Sequence, residues 1–209
     1  MAADVEGNLG SMAYKPSSID RFSLRYATHL PVLMQAVLKT DGSVLELGAG
    51  HFSTPVLHWM CALSKRELVS YDNQKRFLNW SRVYECDWHH LYYLEDWDGA
   101  EIDRPWDVAL VDHSPSERRI TDIKRLADTT KYIVIHDSNA RYNRDYHYDT
   151  IYKLFKQQLN YDGVEPSTTV LSNLVDLRDF WEGGIGCGEN ADSRLWFPSA
   201  MLDASSISD

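Results

Sequence analysis

The sequence predicts an α/β fold: an open, mainly parallel sheet with helices on both faces. Three observations carry this expectation. Short apolar runs alternate with amphipathic stretches five times along the chain. The first alternation passes through a glycine turn, Gly48-Ala49-Gly50. An acid stands at or just past the end of each of five predicted strands: Glu46, Asp72, Asp96, Asp112 and Asp137. Open parallel sheets bind ligands beyond the carboxyl ends of their strands, so these acids share one functional edge.

Each element has its own signal. Residues 19–39 carry apolar side chains at Phe22, Leu24, Tyr26, Leu30, Leu33, Val37 and Leu38, which predicts one or two helices broken before Pro31. Strand one is 43–47. Ser53 or Thr54 is placed to cap the next helix and Pro55 suits its first turn. That helix spans 54–64, with Leu57, Met60, Cys61 and Leu63 inward. Strand two is 67–71, followed by a helix over 74–84 with Phe77, Trp80 and Tyr84 on one face. Strand three is 90–94 and strand four 106–111. Ser116 is placed to cap a helix reaching Asp128, with Ile120, Ile123, Leu126 and Ala127 inward. Strand five is 132–135, and a helix over 147–159 follows, with the stripe Ile151, Leu154, Phe155 and Leu159. Residues 168–175 form a β-branched strand, 183–188 a glycine loop, and 195–197 a short last strand.

Bulk properties exclude several classes. With 209 residues, 44% hydrophobic and 25% charged, the chain has the material for one sizeable domain over 19–198. Residues 1–18 are expected to be a loose arm and 199–209 a loose tail. A net charge of −10 argues against a general nucleic-acid binder. No apolar run approaches the ~20 residues of a membrane span, and no signal peptide is expected. Cys61, Cys86 and Cys187 lack metal or redox spacing, so reduced thiols in the cytoplasm are expected. Cys61 is assigned to the core. A homo-oligomer is left open.

The glycine turn and the following helix N-terminus point to an anionic or polar ligand. Gly48 and Gly50 let backbone approach a ligand, and the helix start offers free N–H groups. Asp72 can accept both ribose hydroxyls, with Asn73 beside it. Asp96 can take an adenine amino proton, and Trp97 can cover the base. With these residues in place the chain resembles class I S-adenosylmethionine (SAM)-dependent methyltransferases over roughly residues 25–175. The E-x-G-x-G form at Glu46, Gly48 and Gly50 is that family's first motif, although Phe52 holds its last glycine position. The resemblance implies a Rossmann-like seven-stranded sheet with a final antiparallel strand, and SAM held by Glu46, Gly48, Ala49, Gly50, Asp72, Asn73, Asp96, Trp97 and Asp112. Glu46 would lie near the cationic methionine end.

The strand ends Val111-Asp112-His113 and Ile135-His136-Asp137-Ser138 resemble those of catechol O-methyltransferase and its relatives. That likeness implies a hard cation such as magnesium on Asp112, Asp137 and Ser138. Serine at 138 departs from the family's asparagine, and Ser114, Pro115 and Ser116 stand where it has a lysine base. His113 and His136 are then the expected bases, with Asp112 or Asp137 orienting them. Arg118 and Arg119 are read as surface charges paired with Glu117 or Asp122. Residues 139–148, with Tyr26 and His29, are read as a cover over the site. The expected activity is O-methylation of a small-molecule or sugar-like hydroxyl. The alternatives are an NAD-dependent oxidoreductase on a similar sheet and a non-catalytic SAM-binding protein.

Overall fold

The computed structural model describes residues 24–182. The expected arm, tail, glycine loop, last strand and Cys187 lie outside the described residues. Seven strands form one sheet in the order β3-β2-β1-β4-β5-β7-β6. They are β1 (Val44–Leu47), β2 (Leu68–Asp72), β3 (His89–Tyr93), β4 (Trp106–Val111), β5 (Thr130–Ile135), β6 (Gln157–Tyr161) and β7 (Thr168–Ser172). The first five pair in parallel, and β7 runs antiparallel between β5 and β6. The sheet is therefore mixed, with parallel pairing through the five strands that carry the edge acids.

Strict alternation of side chains sorts the two cores. On one face Leu45, Leu47, Val69, Tyr71, Ala109, Val111, Ile133 and Ile135 meet Trp97, Trp106, Ile123, Leu126 and Ile151. On the other face Val44, Leu68, Val108, Leu110 and Val134 pack against α1 (Leu30–Leu38) and α2 (Ser53–Ala62). Pro31 sits in the first turn of α1, where its missing N–H costs nothing. Cys61 is buried as expected, and burial pushes its thiol up to about 11.

Other expectations are corrected. Leu63 lies past the end of α2 and is 97% exposed. Neither Ser53 nor Thr54 caps that helix; the cap position is Phe52. Ser116 does not cap α4 (Arg119–Leu126), which is entered through a 3-10 turn over Ser116–Arg118. The helix expected over 74–84 is α3 (Lys75–Ser81) followed by a 3-10 turn. The long helix over 147–159 is absent. A single turn, α6 (Asp149–Tyr152), follows the short α5 (Asn143–Tyr146), and the chain then enters β6. Ile151, Phe155 and Leu159 are four apart, a spacing that fits both a helix face and one side of a strand. Among the described residues no helix is long and apolar enough to cross a membrane.

The close approach of β1 and β4 dictates Gly48. Its φ is +98°, and a Cβ there would lie 2.8 Å from the carbonyl of Asp112 and the nitrogen of His113. Both neighbours are backbone and cannot swing away. Gly48→Ala is expected to destabilise the protein by about 1–3 kcal/mol or more, measured by denaturant unfolding, whereas an alanine at the exposed Gly163 should be nearly neutral.

Candidate functional site

The glycine turn is braced from beneath by Glu46. Alternation along β1 turns this side chain away from Leu45 and Leu47, toward α2, and it is fully buried. Thr54 Oγ1 donates to its carboxylate at 2.9–3.0 Å and accepts from the Gly50 N–H at 2.9 Å. Ser70 donates to the same carboxylate at 2.5 Å. Having given its proton to Glu46, Ser70 accepts from His89 Nε2 at 3.0 Å, and His89 Nδ1 meets His58 Nδ1 at 3.1 Å. Burial raises Glu46 to about 7, against the hydrogen bonds of Ser53, Ser70 and Thr54. Glu46 thus holds the turn in shape and does not line the cavity above it.

That cavity measures about 600 Å³, within the usual range for small-ligand sites. Of the expected cofactor residues, Gly48, Ala49, Gly50, Asp72 and Asp112 line it. Asp72 ends β2, is 3% exposed, and accepts the Gln74 N–H at 2.5 Å. Burial lifts its carboxyl to about 6. Asn73, Asp96 and Trp97 are not among the lining residues. Asn73 Nδ2 and Trp97 Nε1 both donate to the Ser114 carbonyl, at 2.9 and 2.8 Å, and Trp97 is part of the core. Asp96 caps a 3-10 turn through the Asp98 N–H. The indole was free to be core from the start, since an apolar ring after a strand suits either role. Cavity residues that sequence reasoning did not assign to a cofactor include His51, Gln74, Arg76 and Phe77. His51 stood inside the turn motif itself, and Phe77 on the expected apolar face of α3.

At the other end of the cavity the ends of β4 and β5 meet on Arg119. It is 5% exposed, not a surface charge, and its guanidinium reaches Asp112 Oδ1 at 2.9 Å and Asp137 Oδ2 at 3.5 Å. It also donates to the carbonyls of His113 at 2.7 Å and His136 at 3.4 Å. The cation expected between the two acids is therefore this side chain. Arg118 pairs with Asp122 and Asp98, close to the sequence reading. Ser138 pairs with the Thr169 hydroxyl at 2.9 Å and lines a different cavity. Asp112, Asp137 and Ser138 do not form an oxygen cage for magnesium. Asp137 adopts φ 58°, the left-handed region, and accepts from Tyr146 Oη at 3.0 Å.

The two expected bases differ. His136 is 2% exposed, with Nδ1 3.2 Å from Asp112 Oδ2 and Nε2 2.9 Å from Thr28 Oγ1. Burial opposes its charge, but the Asp112 carboxylate outweighs burial and the pKa rises. Burial likewise opposes ionisation of Asp112, yet His136 and Arg119 hold its carboxyl well below the usual range. His113 gives Nε2–H to Asp122 Oδ2 at 3.0 Å, which leaves Nδ1 buried and without a hydrogen-bond partner. Burial lowers its pKa. His29, from the N-terminal segment, is 2% exposed, and both its ring nitrogens lack a hydrogen-bond partner. Burial, then the charge of His136, lowers it to about 4. Of the segments expected to cover the site, Tyr26, His29 and Tyr146 line the cavity, whereas Asn139, Ala140 and Tyr148 line a different one.

Two measurements test this electrostatic frame. Arg119→Met leaves two buried-edge acids without their cation and should cost about 3–5 kcal/mol in urea unfolding. Glu46 binds its proton more tightly folded than unfolded. Its protonated form is favoured at low pH, and the stability it carries is lost as pH rises from about 4.5 toward 7. The stability of wild type relative to Glu46→Gln should fall over that window; a pH-independent difference would remove the burial argument.

The sequence matches no protein-family model and no curated protein. Solved structures do match. The SAH-bound methyltransferase PaMTH1 of Podospora anserina gives a TM-score of 0.53 at 12% identity, over 76% of this chain and 82% of that one. The N-methyltransferase NodS of Bradyrhizobium japonicum WM9, in complex with S-adenosyl-L-homocysteine (SAH), gives 0.52 at 13% identity, over 77% and 91%. The delta-N METTL16 methyltransferase domain gives 0.51 at 9% identity, over 73% and 83%. Identities this low speak for architecture alone. The strand order, the glycine turn after β1 and these likenesses together place the chain in the SAM-dependent methyltransferase fold.

Proposed function

We propose that this chain is a SAM-dependent methyltransferase acting on a hydroxyl of a small-molecule or sugar-like metabolite. One observation supports it most: a single cavity joins the glycine turn and Asp72 to the acid–histidine cluster at the ends of β4 and β5. SAM would lie over Gly48–Gly50 with its ribose hydroxyls on Asp72, and the acceptor would enter beside Asp137 and Tyr146. The net charge of −10 favours a small acceptor over nucleic acid.

In-line transfer forms the acceptor oxygen–methyl bond as the sulfur–carbon bond breaks, and sulfur keeps the electron pair. The acceptor's proton must go elsewhere. His136 has both nitrogens engaged, whereas His113 has an unpartnered Nδ1 and a carboxylate on its other nitrogen. His113 is the base in this reading, and Asp122 fixes its tautomer and steadies the charge it acquires. The chain's main contribution is alignment of the two reactants.

Calorimetric titration with SAM, SAH and NAD tests the cofactor. SAM and SAH are expected to bind, and Asp72→Ala to weaken them by about 1–3 kcal/mol because ribose hydroxyls lose their acceptor. NAD binding without SAM binding would establish the oxidoreductase instead. With a panel of phenolic and glycosidic acceptors, His113→Gln should keep SAM affinity while lowering turnover about a hundredfold or more. Full turnover in that variant would remove His113 from the chemistry, and SAM binding with no acceptor methylated would favour a non-catalytic protein.

A further inference from the structure

His29, Asp112 and His136 come from three separate parts of the chain and meet at one wall of the cavity. Each offers a ligand atom, and these atoms lie within 4.8 Å of one another. Two further observations concern the lone pairs in this cluster. His29 is 2% exposed, yet neither ring nitrogen has a hydrogen-bond partner, a costly condition for a buried polar group. Its ring stands edge-on to His136, with centroids 4.7 Å apart.

The second observation is the tautomer of His136. Thr28 Oγ1 gives its only proton to a carbonyl, that of Pro166 at 2.7 Å being the nearer, so it must accept from His136 Nε2–H at 2.9 Å. A neutral His136 then turns a bare Nδ1 toward Asp112 Oδ2, 3.2 Å away. Two lone pairs at that distance require a proton or a cation between them. For metal–ligand bonds of about 2.0–2.1 Å in a tetrahedral site, neighbouring donor atoms stand about 3.3 Å apart. The His136–Asp112 spacing already matches that edge, and His29 has no hydrogen bond to break in closing the remainder. Thr28, bonded to the far nitrogen of His136, is placed as the outer partner that orients a ligating imidazole.

We propose that His29, Asp112 and His136 form a binding site for a divalent transition-metal ion of the zinc type. Two imidazoles and one carboxylate oxygen select zinc, cobalt or nickel over magnesium, whose preference is for oxygen. Arg119 holds the opposite oxygen, Asp112 Oδ1, and so neutralises the carboxylate without occupying the site. The fourth position would face the cavity, where an ion lowers the pKa of a coordinated hydroxyl. Metal binding is measured without SAM or acceptor, so this inference stands or falls separately from the methyltransferase reading.

Metal-stripped protein is titrated with zinc by calorimetry and with cobalt by visible absorption. One equivalent should bind, and cobalt should show the intense bands of a four-coordinate site. His29→Ala should lower zinc affinity tenfold or more while His90→Ala leaves it unchanged, with thermal melts confirming that both fold. In wild-type protein, zinc should also shift the imidazole NMR signals of two buried histidines, a readout that needs no variant. No stoichiometric binding, unchanged affinity in His29→Ala, or shifts confined to exposed histidines would overturn the site. His136 would then be a doubly protonated imidazolium paired with Asp112.

Discussion

The structure around the cavity depends on one buried guanidinium. Arg119 leaves the first turn of α4 and binds the carbonyls of His113 and His136 together with the carboxylates of Asp112 and Asp137. It therefore ties the ends of β4 and β5 together where the sheet's ladder has stopped and backbone carbonyls need partners. A buried cation is tolerated here because carboxylates and carbonyls surround it, and with His136 it holds the Asp112 carboxyl below the usual range. Tyr148, which also donates to the His136 carbonyl at 3.2 Å, and the Tyr146 ring over the guanidinium close the arrangement from the α5–α6 side.

The opposite end of the cavity is organised by a different balance. Glu46 is surrounded by hydroxyl donors, and burial outweighs them and leaves it on the edge of protonation. Its task is geometric: through Thr54 it fixes the Gly50 N–H and hence the path of the glycine turn. The two ends thus divide the labour. One presents backbone and Asp72 to a polar ligand; the other presents a charge-balanced cluster of acids, histidines and Arg119. The histidines of that cluster stand apart by their second nitrogens, bound to Thr28 in His136 and unpartnered in His113 and His29.

The sequence by itself determined the alternation of strands and helices, the parallel core of the sheet and the edge on which the acids gather. These follow from side-chain period and from connection rules that act over short stretches of chain. Gly48, Ala49, Gly50, Asp72, Asp112 and Asp137 were legible for the same reason, since a strand end announces itself locally. Tertiary structure decided the rest. Whether Leu159 continued a helix or sat on a strand depended on the exposed edge of β7. Trp97 became core because Ile123 and Leu126 lie across from it, and Glu46 turned under the glycine turn because β1 presents that face to α2. Arg119 looked like one of two neighbouring surface charges; only the approach of β4 to β5 made it the cation between two acids. His29 stands 107 places before His136 in the chain, and no local pattern could bring those rings to 4.7 Å. Long-range packing sets which side chains share a cavity, and with it the chemistry they can perform.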